Sequence, residues 1–206
     1  MGILNLLKAN YTGKVGQTVG AKWKDKSTIR VYTKPADPHS AAQELVRGGF
    51  GGVSEQVAAF ADQIRSLNPL STKSMTLRNA IIKLNKEMVA AGAFVGGDLL
   101  VSRGGLPVPQ IGAAAVTAGL ASATIPFTKI EGANISTKCK IVAILLDATN
   151  KEAFVGSALN AAESVTVTGA FRASTQYHVY LYALDFRGSS KVGSVNDYKS
   201  ITSPAQ

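Results

Sequence analysis

The sequence predicts an α+β fold in which an N-terminal β-hairpin and two amphipathic helices precede an antiparallel β-sandwich. Three observations support this fold class. Apolar and polar residues alternate within residues 11–35, apolar residues recur at helical spacing between residues 41 and 92, and short β-rich runs follow from residue 96. The change at residue 96 predicts two domains, a hairpin and helical region over residues 1–95 and a β-sandwich over residues 96–206.

The composition is that of a folded, basic protein. The chain has 206 residues, 46% of them hydrophobic, and a formal net charge of +9 at pH 7. That hydrophobic share is enough for a core and argues against wholesale disorder. Seven basic residues but only one acidic residue lie between residues 8 and 34. Such a block can contact phosphate or an acidic protein surface, or can be a solvated face that aids solubility.

The hairpin is predicted from two strands within residues 11–35. Ile29 and Val31 alternate with polar or amphipathic neighbours, which is a good strand signal. The first strand alternates less regularly because it contains glycines, which mark kinks or places where another backbone comes close. A basic turn of more than two residues, residues 24–27, is expected to join the two strands.

The first helix is expected to begin near Ala41, where Asp37 or Ser40 can cap it, and to end before Asn68. Four glycines within residues 48–52 each cost on the order of 1 kcal/mol relative to alanine, so we expect a break or a tight helix crossing there. Apolar residues at steps of four, three and four then form one face: Val53, Val57, Phe60 and Ile64.

A second helix is expected after Ser71 or Thr72, either of which can cap it, and Gly92 is a natural stop. Its apolar face carries Leu77, Ile81, Leu84 and Met88. Two helices with matched apolar stripes are expected to pack on each other or on the hairpin.

The region after residue 96 is predicted to be a sandwich of about seven strands, because short β-rich runs are separated by turn residues. The runs are residues 98–102, 113–118, 121–127, 138–147, 153–155, 163–171, 176–186 and 191–195. The run over residues 176–186 is apolar or amphipathic on both faces. This strand is therefore expected to be central in its sheet, or to use one face as an interface. The last two strands resemble the end of an immunoglobulin-like or fibronectin-type sandwich.

No residue pattern in the sequence defines a reactive centre. The glycine spacing within residues 13–20 matches neither a P-loop nor a dinucleotide fingerprint. His39 and His178 lie in different halves without a neighbouring nucleophile, and the acidic residues are scattered. The single cysteine, Cys139, lies in an apolar run and is expected to be a packed strand residue. We predict that the protein is not an enzyme and has no catalytic, cofactor-binding or metal-binding residues.

The N-terminal arm and hairpin are the best candidates for a functional site. Their apolar side chains predict self-association: Leu4, Leu7, Val15, Val19, Trp23 and Ile29. Their basic side chains predict contact with an acidic partner or with nucleic acid: Lys22, Lys24, Lys26 and Arg30. The alternative is that Trp23 anchors the hairpin in the core while the lysines are solvated.

A wider pattern resembles a family of uncharacterised proteins of about this length. Its specific part is Gly13-Lys14-Val15-Gly16, followed by Trp23-Lys24, Ile29-Arg30 and Pro35. The chain departs from the family at Asp25, where glycine is more usual, and lacks a tryptophan often found at the start of the sandwich. The family is found in Bacteroidetes-type bacteria and their phages and has no assigned reaction. The resemblance implies a structural or virion-associated role.

Our first hypothesis is therefore a phage-type structural protein that self-associates through its N-terminal arm and hairpin and through the edges of the sandwich. It would be part of a virion assembled in the host cytoplasm, and its partners would be other copies of itself and other structural subunits. The alternatives are a basic nucleic-acid-binding module in the bacterial cytoplasm and a hydrolase of a surface polymer. The most apolar segment, residues 111–127, is interrupted by Gly, Ser, Thr and Pro, so we expect no membrane partner.

Overall fold

The computed structural model describes residues 12–23, 26–34, 36–37, 39–70, 75–117, 119–132, 135–187 and 190–205. Within these ranges it contains three α-helices and eleven β-strands in three antiparallel sheets. This is the predicted α+β fold, with an N-terminal hairpin and a C-terminal sandwich. The backbone forms two compact units, Met1–Ser40 and Ala41–Gln206. The boundary predicted at residue 95 falls inside the second unit.

The first unit contains a three-stranded sheet in the order β1-β2-β3: β1 (Gly13–Val15), β2 (Thr18–Trp23) and β3 (Lys26–Val31). A turn at residues 16 and 17 thus divides the first of the two predicted strands into β1 and β2, which corrects the two-stranded hairpin to three strands. Gly16 is the first residue of the two-residue turn between β1 and β2, and its φ of 58° is one that glycine adopts without strain. Trp23 pairs with Lys26, so only residues 24 and 25, which lie outside the described ranges, separate β2 from β3. This pairing corrects the longer turn predicted from the sequence.

The first helix, α1 (Ala41–Ala61), runs unbroken through the four glycines. A Cβ added to Gly49 would lie 2.1 Å from the Val89 carbonyl oxygen, whereas one added to Gly48 would meet nothing within 4 Å. Gly49 therefore allows the backbones of α1 and a later helix to touch. Of the two predicted alternatives, the tight helix crossing is confirmed.

The second predicted helix is divided into α2 (Leu77–Leu84) and α3 (Lys86–Ala91), which meet at Asn85. The Thr76 hydroxyl caps α2 by accepting a hydrogen bond from the Asn79 N–H. The predicted caps, Ser71 and Thr72, lie outside the described residues. Gly92 ends α3 with a φ of 79°, which confirms the predicted stop.

The second unit contains a five-stranded sheet whose central strands are β6 (Lys140–Asp147) and β9 (Gln176–Arg187). On one side β6 pairs with β7 (Glu152–Leu159). On the other side β9 pairs with β10 (Ser190–Gly193) and, further along its length, with β11 (Asp197–Thr202). The sequence did not predict β11, because Ile201 is its one buried residue and its other side chains are polar or half-exposed.

A smaller sheet, in the order β4-β5-β8, covers one face of the large sheet. Its strands are β4 (Ala115–Val116), β5 (Ser122–Pro126) and β8 (Ser164–Thr168). Alternate residues of each strand point into the sandwich and form one apolar core with the large sheet, including Ile125, Val167, Leu145 and Leu181. Residues 98–102, which were predicted as a strand, begin in a 3-10 turn (Gly96–Asp98) and continue without strand pairing.

The helices cover the opposite face of the large sheet and form a second core with it. Phe60 and Ile81 of the helices are completely buried there with Ile144 of β6. Two buried tyrosines of β9 reach into this layer, where Tyr180 donates a hydrogen bond to the Gly96 carbonyl and Tyr182 to that of Leu67, both at 2.9 Å. The helices also pack on one another, as predicted. Their position on the sheet explains why both faces of β9 are apolar.

Candidate functional site: the N-terminal sheet

One face of the N-terminal sheet displays apolar side chains to solvent. The strand register places Val15 opposite Thr18, Thr18 opposite Val31, and Gly20 opposite Ile29. Directly paired residues lie on the same face of a sheet. Val15 is 60% exposed and Val31 is 70% exposed, while Ile29 is half-buried. The register therefore brings together two predicted self-association residues, Val15 and Ile29.

The opposite face is basic and partly aromatic. Lys14, Val19 and Arg30 lie in one row across the three strands. The Lys14 ammonium group is 3.8 Å from the centroid of the Tyr32 ring, a cation–π contact. The Tyr32 N–H donates a hydrogen bond to the Gln17 carbonyl at 2.7 Å, which holds this residue against β2. Val19, the third predicted self-association residue that can be located, therefore lies on the face away from Val15.

The basic residues predicted to contact an acidic partner or nucleic acid are divided between the two faces of the sheet. Lys22 pairs with Ser27, whereas Lys26 pairs with Trp23, so positions 22 and 26 lie on opposite faces. Position 26 shares its face with Arg30, which is four residues further along β3. The predicted residues Leu4, Leu7 and Lys24 lie outside the described residues, as do the side chains of Lys22, Trp23 and Lys26.

The sheet has two unpaired edges in the part of the chain that the structure describes. There β1 and β3 each pair only with β2, so their outer backbone groups meet no strand. An edge of this kind is a template for a strand of another chain. Among the residues of the Met1–Ser40 unit whose burial is described, moreover, Gly20 alone is buried, and glycine has no side chain to contribute to a core. The sheet thus has a solvent-facing apolar surface and no core that the described residues supply.

The sequence matches the model of one known protein family. The model of a family of unknown function, DUF6266, matches residues 10–191. The chain belongs to this family. The DUF6266 match begins just before β1, takes in all three helices and ends within β10, so the N-terminal sheet is part of the family's shared region. No curated protein matches the sequence.

In this DUF6266 chain neither histidine is paired with Cys139 as a base with a nucleophile. Cys139 is fully buried, as predicted, but it lies immediately before β6 and not within the strand. Burial, and then the nearby Asp185 carboxylate, raise the pKa of its thiol from 9.0 to about 11. His39 is exposed, and His178 pairs with Leu146 near the end of β6 that is distant from Cys139. The thiol is thus protonated at neutral pH and poorly suited to nucleophilic attack.

His178 belongs to an aromatic cluster on the helical side of β9. Its Nδ1 lies 2.9 Å from the Tyr198 hydroxyl, its ring stacks on Tyr198, and Phe94 meets it edge-on. A Cβ on Gly96 would lie 2.3 Å from the same nitrogen, so this glycine lets the backbone close over the ring. Burial lowers the pKa of His178. These contacts fit a packing role for His178.

The part of the chain that the structure describes contains neither a cluster of metal ligands nor a helix that could span a membrane. In those ranges no three or more His, Cys, Asp and Glu side chains converge as a metal site would require. No helix there has both the length and the apolar character needed to span a membrane, although α1 has 21 residues.

A second exposed apolar surface, which was not predicted from the sequence, lies on the first turns of α1. Leu45, Val46 and Phe50 are each about half exposed, at 51%, 47% and 50%. Val46 and Phe50 continue the stripe that Val53 and Val57 bury against the sheet, at the same helical spacing. The apolar stripe of α1 is therefore longer than the surface it covers. Spacing steps of four, three and four through residues 46, 50, 53 and 57 could have revealed it.

Proposed function

We propose that the protein is a structural subunit that self-associates through its N-terminal sheet. The observation that carries the proposal is the solvent-facing apolar surface of that sheet, with Val15 and Val31 more than half exposed. Contiguous exposed apolar surface marks interaction sites in soluble proteins. A sheet of three short strands also needs an apolar face packed on something to be stable.

The backbone of the sheet favours another β-strand as the partner that packs on it. An added strand would satisfy the outer N–H and C=O groups of β1 or β3 while its side chains bury one face. A second copy offers the same edges and the same apolar face. If the joined surfaces differ, the contact repeats from copy to copy and closes into a ring or extends into a tube.

The proposed setting is a phage-type virion or a related assembly, in which the subunit contacts copies of itself and other structural proteins and performs no reaction. The resemblance of the N-terminal motif to proteins of Bacteroidetes-type bacteria and their phages supports this setting. Such a particle would be assembled in the host cytoplasm.

Sedimentation velocity of the full chain over a range of concentrations tests the proposal. Val31→Lys should move the onset of association to concentrations at least about tenfold higher, because a lysine ammonium would be buried against an apolar surface. Leu159→Lys, at a 48% exposed residue at the end of β7, is the matched control and should associate as the unchanged chain does. Equal association of the two variants would contradict the proposal.

A second candidate function, a nucleic-acid-binding module, is favoured by the basic face of the same sheet. Lys14, Arg30 and Tyr32 share that face, in a chain of net charge +9. Cations on phosphates and a ring available for stacking are the usual elements of single-strand binding. Affinity for an oligonucleotide should then fall steeply with salt, and Lys14→Gln should flatten that dependence while Lys83→Gln, on the exposed side of α2, should not. No binding at low salt would dismiss this candidate.

A further inference from the structure

A cavity of the second unit lies where α2 and α3 meet the chain that follows them. It has a volume of about 710 Å³ and is lined by residues of both helices, of segment 95–103 and of the β10–β11 loop. Its apolar walls come from Leu84, Met88, Ala91, Val95, Leu100 and Val195. Val95 is 49% exposed and Val195 is 37% exposed. The cavity is thus an apolar groove that opens to solvent between two exposed valines.

The polar side chains in this groove are already engaged with the protein. The Asn85 amide donates to the carbonyls of Ile81 and Leu100 and accepts from the Leu100 N–H, at 2.7–2.8 Å. The Ser102 hydroxyl donates to the Ser194 carbonyl at 2.8 Å. A polar metabolite would therefore find few unsatisfied donors or acceptors there. The walls offer mainly apolar contact.

Charged side chains of both signs complete the lining of the groove. Glu87 and Asp98 are acidic, and Lys86 and Arg103 are basic. All four are exposed. The fitting occupant is an apolar segment that carries a charge beside its apolar part.

We propose that this groove receives residues 3–8, Ile-Leu-Asn-Leu-Leu-Lys, of a neighbouring copy; this inference rests on the proposed self-association. The segment lies in residues 1–11, which are outside the described structure. Four large aliphatic residues are followed directly by Lys8, which Glu87 or Asp98 can pair with. Extended, eleven residues reach about 36 Å.

The first test fills the groove. Ala91→Phe places a ring among the lining residues, whereas Ala90→Phe places the same ring on the neighbouring exposed position of α3, which does not line the groove. Measured by sedimentation on the full chain, Ala91→Phe should weaken self-association by about tenfold, as expected for loss of one buried aliphatic side chain. Ala90→Phe should not weaken it. An equal effect of the two variants would overturn the inference.

The second test traps the contact covalently. Leu7→Cys and Val95→Cys chains are prepared separately, mixed and oxidised; the native thiol, Cys139, is buried and does not interfere. A disulfide-linked heterodimer should exceed either homodimer. Leu7→Cys mixed with Val46→Cys is the control, because Val46 is equally exposed on α1. A dominant link to position 46, or no link to position 95, would overturn the inference.

The outcomes separate the groove from the proposed function. If the protein associates but neither Ala91→Phe nor the cross-link behaves as stated, the groove is wrong and the N-terminal sheet still explains association. If the unchanged chain remains monomeric, both ideas fail. A small apolar molecule that co-purifies with the chain and is lost in Ala91→Phe, without a cross-link to position 95, would also overturn the inference.

Discussion

The two units of this chain use β-sheets in opposite ways. In the large sheet all of β6 except its first residue, Lys140, is buried, with Ile141, Ala143 and Leu145 facing the sandwich core and the alternate residues facing the helices. In the N-terminal sheet Val15 and Val31 are more than half exposed, and both outer strands have an unpaired edge in the described residues. The large sheet is thus covered on both faces by its own chain, whereas one face of the N-terminal sheet exposes its valines.

The difference teaches where the two units obtain their stability. A sheet buried on both faces draws its stability from the apolar area removed from water within one chain. A sheet with exposed valines retains apolar area and backbone hydrogen-bonding groups for another surface. Substitutions should therefore affect folding in the second unit and association in the first.

The largest expected effect is in the doubly covered strand. Ile144→Ala and Leu145→Ala, on the two faces of β6, should each lower the free energy of unfolding by about 2–5 kcal/mol, because each leaves a cavity in a packed core. Urea denaturation of the full chain measures both. If only one of the two is costly, one face of the sheet is less well covered than the structure shows.

The helix crossing provides the next test. Gly49→Ala should destabilise the fold by about 1–3 kcal/mol, since its methyl group would collide with the Val89 carbonyl and push α1 from α3. Gly48→Ala meets open space and should instead stabilise the helix by up to about 1 kcal/mol. Thermal unfolding of the pair gives opposite signs if α1 is continuous through its glycines, and the same sign if it is not.

In the N-terminal sheet the equivalent truncation should cost much less. Val31 is 70% exposed. Val31→Ala should therefore change the free energy of unfolding of the protein in dilute solution by less than about 0.5 kcal/mol. At concentrations where the protein associates, the same variant should show weaker association. A loss above 2 kcal/mol in dilute protein would mean that this valine is buried within the single chain.

A further test, of reactivity and of a small pH dependence of stability, concerns the buried thiol. Because its pKa is about 11 in the folded chain and 9.0 ordinarily, Cys139 at pH 8 should react with an alkylating reagent about 100-fold more slowly when folded than in urea, from thiolate content alone. The unfolded thiol loses its proton first, so its contribution to stability is complete below about pH 9 and declines as the pH rises towards 11. Equal reactivity in both states would place Cys139 at the surface.

The sequence predicted the elements whose pattern is local. The Val53–Phe60 stripe, the Gly92 stop and the apolar character of both faces of β9 each follow from neighbours a few residues apart. It could not show that the helices cover the second face of β9, because that contact joins residues about a hundred positions apart. The strand β11 was missed because its pairing with β9, rather than its own apolar content, makes it a strand.

The candidate site was predictable in its location and less so in its arrangement. The residue list placed Val15 and Ile29 in the right sheet, but strand register alone decides which residues share a face. The observed register pairs Lys22 with Ser27 and Trp23 with Lys26, so positions 22 and 26 lie on opposite faces. The apolar turns of α1 and the groove beside α3 depend on what the rest of the chain leaves uncovered, which no local pattern contains.

Electron microscopy of the purified full chain tests the central claim most directly. The account predicts rings, tubes or shells built from repeated copies, and their loss in Val31→Lys. Isolated single particles at every concentration at which the protein remains in solution, identical for the unchanged chain and for Val31→Lys, would contradict it.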